Sequence, residues 1–233
     1  MAREDEIATG LKKVRGRIAE AMKVAGRTDE VRLLPVTKFH PAEDVAILHS
    51  LGIDAVGENR DQEAKKKAAE FPSMAFHMLG QIQTKKANSV ARWATAVQSL
   101  DSLTLVHALD RGMQLALDRG DRSTDTLDVY LQLSLDGDTA RGGAVAEDIP
   151  ALADAVGETE HLRLAGLMCV PPVDSDEQQA FTTALAVKQD LDNRVSKTLE
   201  FSAGMSADLE VAIENGSTLV RVGTDILGPR PIP

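Results

Sequence analysis

The chain has a single cysteine, Cys169, in 233 residues. That excludes an internal disulfide and any multi-cysteine metal site. Cys169 sits in the apolar run 164–170, where buried packing is the expected role for its thiol. Aromatic residues make up only 3%, which leaves few platforms on which bases could stack. No apolar run approaches the roughly 18–20 residues needed to span a bilayer. The N-terminus, Met1 to Glu6, is charged and has no apolar signal core behind it, so a cytoplasmic location is expected. Positive charge is also short: 26 Lys and Arg against 36 Asp and Glu leave a net charge of −10. This argues against general affinity for nucleic acid or anionic membranes. It leaves room for an anionic ligand held by local donors.

Hydrophobic residues at 43% and charged residues at 27% are ordinary values for a soluble globular protein. Residues 5–26 carry Ile7, Leu11, Val14, Ile18, Met22 and Val24 at helical spacing, with Gly26 as a stop. Short apolar runs then alternate with helical stretches. The runs are 31–37, 54–57, 75–79, 96–100, 127–135, 162–170, 199–202 and 218–222. Helices are expected near 42–51, 60–70, 84–93, 102–119, 144–156, 175–196 and 207–215. Such alternation implies parallel strands with helical crossovers. Eight strands suggest an α/β fold closed as a (β/α)8 TIM-type barrel with an extra N-terminal helix and no C-terminal β domain. A doubly wound open sheet is the alternative. No low-complexity linker divides the chain, so one domain over 1–233 is expected. Pro35 strains the picture, because it removes a ladder donor from the first strand.

Lys38 follows the first strand and precedes Pro41, the start of a helix. In α/β barrels the C-terminal strand ends carry the active site. Lys38 is therefore either a solvated loop residue or a functional amine. Partial desolvation and nearby cations would lower its pKa and favour imine formation. At the other end of the chain, residues 200–208 run from a strand into a helix, with Ser206 as candidate N-cap. The small residues Ser202, Ala203 and Gly204 allow close backbone approach to an anion. Asp208 would repel a phosphate if it turned inward. Gly223 and Thr224, after the eighth strand, add backbone and hydroxyl donors. Loops after strands 7 and 8 hold phosphate in many barrels. Arg221 is either a surface ion pair or a guanidinium set against a ligand. Placed against a pyridine nitrogen, it would leave that nitrogen unprotonated and weaken the ring as an electron sink.

Several motifs together resemble the pyridoxal phosphate homeostasis proteins, the YggS/PROSC type. They are Val36-Thr37-Lys38 with Pro41, Gly57-Glu58-Asn59-Arg60 with Gln62-Glu63, and Phe76-His77-Met78-Leu79-Gly80 with Gln83 and Lys85. Ser99 to Ser102, Gly166 to Met168, Gly204 to Asp208, Gly216 to Thr224, and Gly228 with Arg230 complete the set. The resemblance covers about residues 5–230 and implies a barrel like the alanine racemase N-terminal domain. It implies pyridoxal 5'-phosphate as cofactor, with Lys38 as its Schiff-base lysine and Arg221 facing the pyridine nitrogen. Ser202, Ser206, Gly223 and Thr224 would hold the phosphate, and Asn59 would lie near the cofactor. His77 matches a recurrent position and is expected to pack or hydrogen-bond. The chain departs from the pattern at Thr37 (usually Ser), Phe39-His40 (often Thr-Lys), Ala203 (usually Met), Gln81 (usually His or Pro) and Pro35.

A binding and homeostasis role without turnover is the expected function. Racemase chemistry needs acid and base groups on both faces of the cofactor, one of them a tyrosine from a second domain. The only tyrosine, Tyr130, lies in the fifth strand region. A small amino-acid racemase or lyase is the enzymatic alternative. A phosphate-sugar barrel enzyme with a substrate Schiff base at Lys38 is the third. The partners expected are pyridoxal phosphate and the apo-enzymes that use it. A monomer is expected, with a dimer as the alternative.

Overall fold

A computed structural model describes residues 2–138 and 141–229. The N-terminal helix α1 (Arg3–Val24) leads into a regular alternation. It runs β1 (Arg32–Pro35), α2 (Ala42–Ser50), β2 (Ala55–Glu58), α3 (Asp61–Glu70), β3 (Ala75–Met78) and α4 (Ala87–Trp93). Then come β4 (Ala96–Leu100), α5 (Leu103–Asp118), β5 (Leu127–Leu133), α6 (Ile149–Gly157), β6 (Leu162–Cys169) and α7 (Glu177–Val195). The chain closes with β7 (Glu200–Ser202), α8 (Leu209–Glu214), β8 (Leu219–Val222) and α9 (Thr224–Leu227).

The strands form one parallel sheet in the order β1-β8-β7-β6-β5-β4-β3-β2. The ring closes between β1 and β2 through a single bridge, Val36 to Gly57, with the Thr37 N–H donating to the Gly57 carbonyl at 3.0 Å. The expected (β/α)8 barrel is therefore present, and among the described residues no helix is long and apolar enough to cross a membrane. The seam also accounts for Pro35. The Val36 N–H bonds to β8, at Val222 O, and the Thr37 N–H bonds to β2. Alternation points the nitrogen of Pro35 at the β1–β2 seam, where ladder bonds are sparse, so the missing donor costs little.

Alternate residues of each strand face opposite ways. On β8, Val220 and Val222 pack outward with Ile7, Leu11, Val14 and Ile18 of α1. Leu219 joins Leu34, Ala96, Tyr130 and Met168 in the barrel interior. A larger apolar layer, including Leu100, Leu109, Leu131, Phe181 and Phe201, fills the space between the barrel and the remaining helices.

One expectation needs correction, and one element was not expected. Ser206 does not cap α8; it lies in a turn, and the helix starts at Leu209 after Asp208. The Asp208 carboxylate accepts the Met205 N–H at 2.5 Å, which ties up the intervening residues as a turn. The short α9 was not expected, because four residues cannot display a periodicity. Arg230 falls outside the described residues.

Candidate functional site

Lys38 occupies a four-residue turn closed by the His40 N–H donating to Thr37 O at 3.0 Å. It is half-buried. Both peptide groups beside it are held by one buried ion cluster. The Lys67 ammonium donates to Thr37 O at 2.8 Å, to Glu58 Oε1 at 2.6 Å and to Glu63 Oε1 at 2.7 Å. Glu63 Oε1 in turn accepts the Phe39 N–H at 2.7 Å. The Thr37 hydroxyl donates to Glu58 Oε1 at 2.6 Å. Thr37 thus keeps a hydroxyl that has a structural use. Phe39 sits at φ 66°, a left-handed conformation that costs a residue with a Cβ about 1 kcal/mol or more. The Arg60 guanidinium lies 4.5 Å from the centre of its ring. Burial pushes the Glu58 carboxyl up, opposed by Lys67 and Thr37. Its second oxygen has no hydrogen-bond partner among the described residues.

Glu58, Glu63 and Lys67 had no assigned role from sequence, although Glu58 and Glu63 fell inside matching motifs. The available signal was the i,i+4 pair Glu63–Lys67, together with a charged residue ending a buried strand.

On β8, the strand neighbouring β1, Arg221 is buried at 4% exposure and points inward. Its Nη1 donates to Ser202 Oγ at 2.7 Å and its Nη2 to the Cys169 carbonyl at 2.9 Å. Among the described residues it has no carboxylate within ion-pair distance. Burial lowers its pKa, with Asp208 opposing from farther off. Ser202 is fully buried beside it, and its hydroxyl donates to Gln98 Oε1 at 2.6 Å. Gly204, at φ +93°, turns the chain after β7, and its carbonyl accepts the Arg221 N–H at 2.9 Å. Ser206 is half-buried in the following turn, and Thr224 is exposed at the start of α9. Helix geometry leaves the Thr224 and Asp225 N–H groups without intrahelical acceptors. Asp208 is folded into its own turn, which answers the concern that it would face a bound anion.

Strand register gathers these groups. Pro35 pairs with Val222, so Lys38 and Gly223–Thr224 leave adjacent strands at the same end. An ideal Cβ on Gly223 would stand 3.2 Å from Val36 O, so any side chain there would crowd the β1 end. Asn59 follows β2 on the other side of Lys38. Gly80 is needed next to it, because a Cβ there would lie 2.2 Å from Asn59 O. A cavity of about 320 Å³ at this end is lined by Asn59, Gly80, Gln132, Arg141 and Met168. A larger cleft of about 670 Å³ opens beyond Asn59, between His40, Arg60, Glu63 and Lys86. Lys38, Asn59, Ser206, Gly223 and Thr224 therefore share the C-terminal rim, while Ser202 and Arg221 lie just inside it.

Other sequence candidates are placed elsewhere. The Tyr130 hydroxyl donates to Glu200 Oε2 at 2.6 Å, beside Arg32. Glu200 and Arg32 open their strands, so this group faces the N-terminal end of the barrel. Burial and Glu200 push the phenol far above its usual range. Cys169 is buried, and desolvation pushes its thiol up to about 12. Among the described residues no cluster of His, Cys, Asp or Glu could hold a metal ion.

A family profile described as the alanine racemase N-terminal domain matches residues 10–231. A pyridoxal phosphate homeostasis protein of Corynebacterium glutamicum is 59% identical over 202 residues, covering 87% of this chain and 91% of the relative. The chain belongs to the pyridoxal phosphate homeostasis protein family. A more distant member, from Escherichia coli, is 32% identical over 235 residues, covering 97% of both chains. Among solved structures, PipY of Synechococcus elongatus with PLP bound superposes with a TM-score of 0.80 at 29% identity. It covers 95% of this chain and 100% of PipY. An alanine racemase of Clostridium difficile, at 13% identity and a TM-score of 0.72, shares the fold and extends well beyond it, with 57% of its length covered.

Proposed function

We propose that this protein binds pyridoxal 5'-phosphate and serves in the homeostasis of that cofactor, acting as a carrier rather than a turnover enzyme. The observation that carries the reading is Arg221. A buried guanidinium without a carboxylate partner among the described residues is costly unless a ligand completes its surroundings. A neutral pyridine nitrogen accepts from such a donor, and the cofactor's phosphate adds negative charge at the same mouth.

The other residues suit the same ligand. Ser206 Oγ, Thr224 Oγ1 and the N–H groups of residues 223–225 supply donors for a phosphate. Asn59 supplies an amide beside the ring. The cofactor brings an aldehyde, and Lys38 brings the primary amine that condenses with it reversibly. The ion cluster behind Lys38 orients that amine and holds it partly away from water. Ser202 acts through Arg221, because its hydroxyl is already bonded on both sides. The carrier reading is supported by Tyr130, whose hydroxyl is held at the opposite end of the barrel. The barrel works as a single cofactor-binding domain. The homeostasis proteins named above, and PipY solved with PLP, lend the reading its family context.

The test is spectroscopic. Wild-type protein loaded with pyridoxal phosphate should absorb in the visible. Borohydride should bleach it and fix the cofactor's mass on the peptide containing Lys38. The Lys38→Ala variant should stay colourless. A colourless wild type, or a label on another lysine, would overturn the assignment. Loaded protein should also leave the α-protons of L-amino acids in place in deuterated water; rapid exchange with multiple turnovers would make it an enzyme.

A further inference from the structure

Arg221 is the end of a hydrogen-bonded chain that crosses the barrel interior. From Arg221 Nη1 it passes to Ser202 Oγ at 2.7 Å, and from Ser202 Oγ to Gln98 Oε1 at 2.6 Å. Gln98 Nε2 then meets His77 Nδ1 at 3.0 Å. The four residues come from β8, β7, β4 and β3, and each is at least nine-tenths buried.

The direction of the chain follows from its first member. A guanidinium only donates. Ser202 Oγ therefore accepts from Arg221 and spends its own proton on Gln98 Oε1. That fixes the Gln98 amide with its N–H2 toward His77. His77 Nδ1 must then be a bare acceptor, with the ring proton on Nε2. His77 also lines a cavity of about 350 Å³ at the N-terminal end of the barrel, with Arg32 and Asp54. Desolvation, reinforced by Arg32, pushes the imidazole down to about 4, so the neutral ring persists near neutrality. Asp128 and Asp54 act in the opposite sense and do not reverse it.

We propose that His77, Gln98 and Ser202 are positioning residues for Arg221, fixing the guanidinium that meets the ring nitrogen of the bound cofactor. The inference rests on the pyridoxal phosphate reading given above. Without the His77 acceptor, the Gln98 amide is free to rotate. Turned over, it would present N–H2 to Ser202, which already receives a donor from Arg221. Ser202 Oγ can accept both donors, but its own proton then loses Gln98 Oε1, and the hydroxyl is no longer held in one orientation toward the guanidinium. Arg221 alone touches the cofactor; the other three act through it.

The experiment compares full-length wild type, His77→Leu, His77→Asn and Ser202→Ala, each loaded with pyridoxal phosphate. The readouts are the pH midpoint of the visible chromophore, release of cofactor to an apo-enzyme trap, and thermal stability. His77→Leu and Ser202→Ala should displace the midpoint in a common direction and speed release by about tenfold, the effect of one charge-assisted hydrogen bond. His77→Asn can set Oδ1 where Nδ1 stood and should restore both readouts. Lowered stability with unchanged midpoint and release in His77→Leu and Ser202→Ala would overturn the inference, leaving the chain a packing feature. If His77→Leu does not fold, Ser202→Ala decides, since it loses a single oxygen. A wild type that takes up no chromophore would refute the cofactor reading itself and remove the basis of this inference.

Discussion

Lys38 depends on a second, buried lysine. Lys67 pairs with both Glu58 and Glu63 and holds Thr37 O, while Glu63 holds the Phe39 N–H. Replacing Lys67 by Met would strand a fully buried carboxylate, a loss of about 3–5 kcal/mol. Urea denaturation should record that loss. Formation of the bond between Lys38 and pyridoxal phosphate should also slow, because the turn loses its clamp on Thr37 O and Glu63 loses the ammonium that holds it. If Lys67→Met unfolds at the wild-type midpoint, the cluster does not support the turn. Lys38 itself could be found from sequence, since a lysine between a strand and a proline-led helix marks a strand end. Its clamp could not: Thr37, Glu58 and Lys67 meet only when β1 and β2 are neighbours, and the seam between those strands is set by ring closure. The same holds for Ser202 and Gln98, which are 104 positions apart.

At the level of elements, α1 works as a strap over the segments that follow β7 and β8. Arg17 bonds Glu210 at 2.6 Å, Asp225 at 2.5 Å and the Ser206 carbonyl at 2.9 Å, joining the segments after β7 and β8. Arg3 reaches Leu227 O at 2.9 Å and Asp44. Gly10 lies where α1 passes closest to α9: an ideal Cβ would be 2.7 Å from Ile226 O and 2.8 Å from Asp225 O. These contacts are backbone, so the helices would have to move apart. In a free helix, Gly→Ala stabilises by about 1 kcal/mol. Here Gly10→Ala should instead destabilise by about 1–3 kcal/mol, as overpacking does. It should also weaken retention of pyridoxal phosphate, because Ser206 and Thr224 ride on the displaced segments. A thermal midpoint above wild type would show that the contact yields easily. The helix α1 was legible because Ile7, Leu11, Val14 and Ile18 repeat at helical spacing. The need for Gly10 was not, since its partner lies on the last helix of the chain.

For the molecule as a whole, strand–helix alternation was readable because short β-branched runs are separated by amphipathic helices and glycine stops. What alternation does not encode is where the ring joins, and that seam is what makes Pro35 tolerable in β1. Nor does it encode which interior positions are polar. His77, Gln98, Ser202 and Arg221 replace apolar packing across the barrel interior, and this has a consequence for acid stability. The folded protein holds His77 down at about 4 against an ordinary value of 6.5. Between these values the unfolded chain binds a proton that the folded chain refuses. Stability is therefore fully present above pH 6.5 and is lost as pH falls toward 4, by roughly 3 kcal/mol in total. His40, also lowered mainly by burial, contributes with the same sign. Between pH 6.5 and 5 Glu58, whose carboxyl burial pushes up, acts in the opposite sense, so the His77 share is read as a difference between wild type and variant. Urea midpoints across that window should fall steeply for wild type and less steeply for His77→Asn, which keeps the acceptor but cannot titrate. Equal slopes would mean that folding does not hold the proton off His77, and Gln98 would then have to turn its Oε1 toward a protonated ring.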